Sequence, residues 1–385
     1  MDVDVSTFWH RILQLSPAEH GFSYLDPTAQ PPQTGRLSGW IIPAKDLSDV
    51  AGMPTSFGNA SRRRLAHKTD PFIAAYQQQG AYVPGKTATS ELGLSAYTEP
   101  VGQAHPENPL WPGHTPGGSS GGAAVAVARG LVRAAHASDG GGSIRVPAAC
   151  TGMIGFKPAH DTTGANPVAQ GFITATLADA AFLHTITPPA KLRPLRIGVL
   201  ATPVHAPVEV ATHYLDALEY AATTLAAHGH TITTVQPPYG PAPFAAFHTL
   251  LAYRARKISG EASPLVDWLR ETGRRLRPHQ VATAMEEFFS VHAQLRAAWD
   301  CDVLLCPTLA FDPPPIGYFS SLDPAEDFYT QTQWTPWATM FNMSGDAALS
   351  MPVSSPYTSI QLAALRIDSA ELFALATCLD APLQK

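Results

Sequence analysis

The sequence predicts an α/β fold, one large domain whose mixed central β-sheet is covered by helices on both faces. Short fully apolar runs alternate with longer amphipathic ones through most of the chain, which is the pattern of strands buried between helices. Between about 195 and 235 a strand, a helix and a second strand follow in the β-α-β order that makes parallel neighbours. With 385 residues, 45% of them apolar, the chain has ample material for a large core, and no low-complexity linker or internal repeat divides it.

Taken in order, residues 6–15 read as a short helix with Phe8, Ile12 and Leu15 on one stripe. Residues 40–42 read as a strand ending at Pro43. A helix capped at Thr69 runs to Gln79, with Pro71 in its first turn and Gly80 at its end. Residues 81–83 are then a short strand that delivers Gly85-Lys86-Thr87 to its end. Residues 123–131, almost all alanine and valine, form a helix that packs on all sides. Residues 134–138 are a strand running into Asp139, 143–147 open a turn or helix, and 153–156 are a strand closing on Lys157-Pro158. Helices follow at 177–186, 208–228, 244–258, 278–299 and 370–379, with strands at 195–200, 231–235, 303–306 and 348–352.

Around these elements the sequence is organised by one stretch, 115–155, which holds two glycine-serine clusters: Gly117-Gly118-Ser119-Ser120-Gly121-Gly122 and Asp139-Gly140-Gly141-Gly142-Ser143. Glycine grouped around hydroxyls suggests close backbone approach to a ligand, with amide N–H groups free to meet negative charge. Two short motifs here fail on context. Residues 80–87 spell GxxxxGK[ST], but a phosphate-binding loop needs a strand before its first glycine and a helix after its lysine, and here a helix comes before and the strand falls inside the variable positions. Residues 117–121 spell GxSxG, but NPLWPGHTP before it cannot be the buried strand a nucleophile elbow requires.

Composition narrows the classes. With 25 Lys+Arg against 31 Asp+Glu the net charge is −6, and the longest basic run is Arg62-Arg63-Arg64, so nucleic acid is not the expected partner. No apolar run reaches membrane-spanning length. The N-terminus begins acidic, without the order of a signal peptide, so a cytoplasmic protein is expected. The four cysteines, Cys150, Cys301, Cys306 and Cys378, have no paired CxxC spacing and read as reduced, buried thiols with no metal and no cofactor. A lysine at a strand end plus serines in glycine-rich turns can nonetheless make a nucleophile. Burial disfavours a charged lysine, and a neutral one can take a hydroxyl proton.

At these residues the sequence resembles the amidase signature family. The resemblance is carried by Gly85-Lys86-Thr87 with Ser90-Glu91, by 115–122 and by 138–148, with weaker matches at Lys45-Asp46, Asp49-Val50-Ala51-Gly52, Gly155-Phe156-Lys157-Pro158, 302–308 and Phe341-Asn342. It spans about 38 to the C-terminus. The resemblance implies a single amidase-signature domain over 1–385, with a catalytic core over about 38–190 and 191–385 completing the sheet and the substrate cleft. It further implies a serine amidohydrolase in which Ser143 is the nucleophile, Ser119 a bridging serine beside a cis peptide, and Lys86 the base. Backbone N–H groups of Gly140, Gly141, Gly142 and Ser143 would form the oxyanion hole. The expected partner is a small-molecule amide, a linear one first, with no nucleic acid and no membrane; a homodimer stays open. Asp139 and Arg145 are expected to orient the glycine turn, Ser120 to start a helix, and His136 and His114 to be hydrogen-bonded structural histidines. Trp334, Trp337, Phe341 and Phe311 are divided between core and substrate wall.

The chain departs from the family pattern in a short N-terminal region, in His160-Asp161-Thr162-Thr163-Gly164, which replaces a longer loop start, and after Pro352, where SSPYTSIQLAALRI replaces the usual glycine-bearing strand pair. Shortened loops would widen the cleft. Two other functions stay open: a biosynthetic acyltransferase or cyclase, which would use the same residues to pass the acyl group to an amine, and a non-catalytic protein that keeps the fold.

Overall fold

The computed structural model describes residues 4–30 and 34–380; the acidic start at residues 1–3 lies outside them. Eight strands form one mixed sheet in the order Thr231–Thr234, Arg196–Val199, Val303–Pro307, Ser355–Ala364, Ala348–Val353, Ile154–Lys157, Ala169–Thr174, Ala134–Asp139. The first three are mutually parallel and every later pairing is antiparallel. The parallel part is the expected β-α-β unit, with Thr212–Ala227 as its crossover helix.

The central strands of this sheet are buried on both faces, with successive side chains pointing to opposite cores. Val303 and Leu305, with Ile360, Leu362 and Ala364 across the ladder, face the helices Thr212–Ala227 and Ser369–Thr377. Leu304, Cys306 and Ala363 point the other way, into a second core under Ala242–Ala255 and Pro278–Ala298. A third core packs Ala135 and Ala137 against Ala123, Ala124 and Val127 of the helix Gly121–Ala128. That helix begins at Gly121 rather than Ala123. A Cβ on Gly122 would lie 2.2 Å from the Gly21 carbonyl oxygen and 2.4 Å from the Ala88 nitrogen, so only glycine allows the contact.

A second, three-stranded sheet governs the site. Gly85–Thr87 is its middle strand, antiparallel to Phe22–Leu25 and parallel to Ala44–Lys45. It adjoins the edge of the large sheet, where the His136 N–H donates to the Pro43 carbonyl at 3.0 Å. The strands expected at 40–42 and 81–83 meet here as a single bridge, Ile41↔Tyr82, and regular pairing begins three residues later.

One expectation is corrected. The stretch after Pro352 is not a replacement for a strand pair: Ala348–Val353 and Ser355–Ala364 form a hairpin inside the sheet, turning at Ser354 with φ 59°. The serine takes the left-handed turn usually given to glycine, and because the second strand is buried on both faces its sequence shows no alternation. The strand Ala169–Thr174 and the helices Pro264–Arg274 and Pro324–Trp334 were also not anticipated.

Candidate active site

The edge strand Ala134–Asp139 ends in the glycine turn, and the buried helix Arg145–Thr151 starts just after it, so Ser143 stands between a strand end and a helix start. Asp139 holds that turn. Its carboxylate accepts from Gly142 N–H at 2.7 Å and Ile144 N–H at 3.2 Å, from Arg145 Nε and Nη2 at 2.9 Å each, and from Asn342 Nδ2 at 2.9 Å. Burial alone would raise its pKa, but the Arg145 guanidinium and these donors hold it well below the usual carboxylate range. Arg145, itself fully buried, also donates to Gln361 Oε1 at 2.7 Å and to the Ala338 carbonyl at 3.0 Å. The expected orienting role of Asp139 and Arg145 is therefore visible in the geometry; Asn342 and Gln361 belong to the same network, and Gln361 carried no signal in the sequence.

Gly142 sits at φ 109°, a conformation that L side chains rarely adopt. Its N–H turns inward to Asp139, which corrects its placement in the oxyanion hole. The N–H groups of Gly140, Gly141 and Ser143 have no acceptor among the described residues, and all three residues line a cavity. Ser143 is 8% exposed, against 1% for Ser119.

The Gly118–Ser119 peptide is cis, as the resemblance implied. Against Ser119 Oγ, at 2.7 Å, stands Lys45 Nζ, not Lys86. Lys45 also reaches the Ser138 carbonyl at 3.3 Å and the Ser138 hydroxyl at 3.1 Å. Burial pushes its pKa down to about 7, opposed by the charge of Asp139. Lys86 Nζ instead lies 3.3 Å from Asp46 Oδ1 and 3.0 Å from Thr55 Oγ1, with no hydrogen bond to Ser119. The cause is register. In the small sheet Lys45 pairs with Thr87 and Ala44 with Lys86, so the two lysines lie one step apart on adjacent strands and face opposite sides. Asp46, two residues beyond Ala44, shares the Lys86 side and accepts also from Ser56 N–H at 3.2 Å and Ser23 Oγ at 3.0 Å. Lys45-Asp46 was visible only as a weak motif match; which of two lysines reaches the serine depends on a register that the sequence does not display.

Ser120 stands at the N-cap of the helix Gly121–Ala128, as expected, but its hydroxyl makes no capping bond and instead approaches the Ser138 carbonyl at 3.5 Å. His136 is a core histidine: its Nδ1 accepts from the Lys45 N–H at 3.1 Å, its Nε2 faces Gln170 Oε1 at 2.9 Å, and burial lowers its pKa to about 3, so it is neutral. His114 pairs locally with the Pro112 carbonyl.

The cavity in front of Ser143 holds about 250 Å³. Its aromatic wall is Phe244, Phe247 and Phe328, with Leu92, Leu94, Val168 and Leu251; Thr332, Thr335, Thr339 and Gln331 supply polar groups. Trp334, Trp337 and Phe341 are fully buried core residues and do not line it. All four cysteines are free, no His/Cys/Asp/Glu group among the described residues is arranged for a metal ion, and no described helix is long and apolar enough to cross a membrane.

The family profile named Amidase matches residues 17–186 and 183–372. The AmiB2 protein of Mycobacterium tuberculosis, which bears an amidase name, is 30% identical over 384 residues, covering 89% of this chain and 82% of its own length. Among solved structures, a 6-aminohexanoate cyclic dimer hydrolase superposes with TM-score 0.85 at 20% identity, over 97% of this chain and 92% of that one. A bacterial aryl acylamidase of the amidase signature enzymes superposes with TM-score 0.78 at 20% identity, over 98% and 95%. These structural likenesses speak to the fold, and the profile and the sequence relative to the lineage: the chain belongs to the amidase family, enzymes that hydrolyse carbon–nitrogen bonds.

Proposed function

We propose that this amidase hydrolyses a linear carboxylic amide of a small molecule through an acyl-enzyme on Ser143, with Ser119 as the proton bridge and Lys45, in place of Lys86, as the base. The observation that carries the reading is the surroundings of Lys45. A neutral lysine has two N–H donors and one lone pair. The two Ser138 oxygens at 3.1 and 3.3 Å take the donors, which leaves the lone pair for the Ser119 hydroxyl at 2.7 Å. A pKa near 7 keeps a large fraction of the amine neutral at working pH.

In this mechanism Ser143 Oγ attacks the carbonyl carbon while its proton passes to Ser119 and the Ser119 proton to Lys45. The oxyanion that forms is held by the unpaired N–H groups of Gly140, Gly141 and Ser143, each contributing roughly 3–4 kcal/mol in comparable sites. The C–N bond then breaks as the proton returns through Ser119 to the leaving nitrogen. Water enters, gives its proton to the same relay and cleaves the ester, which restores Ser143 and neutral Lys45.

The test is turnover of a panel of anilides, primary amides and esters by wild type and Ser143→Ala. Loss of all turnover in Ser143→Ala with the fold retained is expected; hydrolysis surviving in that variant overturns the assignment.

A further inference from the structure

The cavity in front of Ser143 is lined by one charged side chain, Arg254, near the end of the helix Ala242–Ala255. Every other lining side chain is neutral, and the wall beside Ser143 is largely apolar. Arg254 stands at the rim and spends one nitrogen on its own support: Nη2 donates to the Ala165 carbonyl at 2.5 Å and the Gly164 carbonyl at 3.3 Å. It has no carboxylate partner among the described residues, unlike Arg145 and Arg296, which are paired with Asp139 and Asp346. Asp161, the acid on the loop that holds it, is turned to Thr163 N–H and Oγ at 2.9 and 2.7 Å. Arg254 is exposed by surface area, and protein packed around its guanidinium with no counter-charge lowers its pKa.

The same side chain forms the border of a second recess of about 410 Å³, whose only charged lining residues are Arg254, Arg256 and Lys257. In a chain of net charge −6 this is a local cluster of positive charge that shares Arg254 with the cleft. The supporting loop is the segment in which the sequence departs from the family pattern.

We infer that the amide cleaved at Ser143 carries a carboxylate at the end remote from the scissile bond, and that Arg254 binds it, as a specificity-determining residue, through its free guanidinium nitrogens. The apolar wall holds the intervening carbon chain or ring, and the Arg256 and Lys257 charges favour entry of the anion. The fork of an arginine suits a carboxylate, which two parallel N–H groups can hold. This rests on the reading of Ser143 as the nucleophile.

The test uses matched pairs: 4-acetamidobenzoate against its methyl ester, and glutaryl 4-nitroanilide against its methyl ester. The wild-type ratio of amide kcat/KM, acid over ester, is expected to be about ten or more for at least one pair, since a charge-assisted hydrogen bond at a partly wet site contributes about a tenfold preference. In Arg254→Gln the ratio should fall to about one, and in Arg254→Lys it should recover in part. Protection of Ser143 from a neutral fluorophosphonate by each acid and its ester reads the same ratio without turnover. A ratio near one for both pairs, or one that Arg254→Gln does not move, overturns the inference while leaving the amidase reading intact. Absence of both turnover and labelling refutes the acyl-enzyme reading, and the inference with it.

Discussion

Replacing Lys45 with methionine separates the two lysines. Lys45 is fully buried at 2.7 Å from Ser119, with a pKa of about 7. If its neutral form accepts the proton, kcat/KM for an amide follows the neutral fraction, roughly 0.1 at pH 6 and 0.9 at pH 8, so the rate rises close to tenfold between them and then flattens. Lys45→Met should remove this rise and lower kcat/KM by about 10²- to 10⁴-fold, the usual worth of a positioned base. Stability should move the other way. The Lys45 pKa is about 7 folded against an unfolded value near 10.5. Between those values the unfolded chain binds more protons, and wild-type stability rises with pH across that window. Below pH 7 the burial penalty is fully present, so Lys45→Met should melt at or above wild type at pH 6. Lys86→Met is the control: it strips Asp46 of its buried cation, at a cost of roughly 3–5 kcal/mol, yet the surviving activity should keep its rise near pH 7. The assays are kcat/KM from pH 5.5 to 9 and thermal melts at pH 6. A rise that survives Lys45→Met and vanishes in Lys86→Met refutes the assignment.

Other outcomes follow from the turn that carries Ser143. Asp139→Ala leaves Arg145 buried and unpaired and frees three N–H groups, and should cost about 3–5 kcal/mol in denaturant unfolding. Gly142→Ala puts a side chain at φ 109° with its Cβ 2.9 Å from Ala338 Cβ and Val146 Cγ2; strain of about 1–3 kcal/mol should displace Ser143 and lower kcat more than the melting temperature. Gly122→Ala, whose Cβ would strike the Gly21 carbonyl at 2.2 Å, should reduce soluble folded protein, read by expression and circular dichroism.

Much of this was legible in the sequence because its signals are local. The glycine-serine clusters located Ser119 and Ser143, and the alternation around 196–234 gave the parallel unit. Asp139 beside the glycine turn announced the carboxylate that holds it. What was hidden depends on partners far along the chain. Lys45 and Lys86 differ by one step of register between strands 40 residues apart, and only the register says which faces Ser119. The Ser355–Ala364 strand, buried on both sides, presents no period of two. The cleft wall comes from Phe244, Phe247 and Phe328, on two helices of which one was not anticipated, while the tryptophans at 334 and 337 went to the core.

Acylation of Ser143 is read directly by peptide mass mapping of enzyme quenched in acid during turnover of an activated ester or anilide. The acyl mass is expected on the peptide containing Ser143, present in wild type, absent in Ser143→Ala, and slow to appear in Lys45→Met. An acyl group on any other residue, or its appearance in Lys45→Met at the wild-type rate, would contradict it.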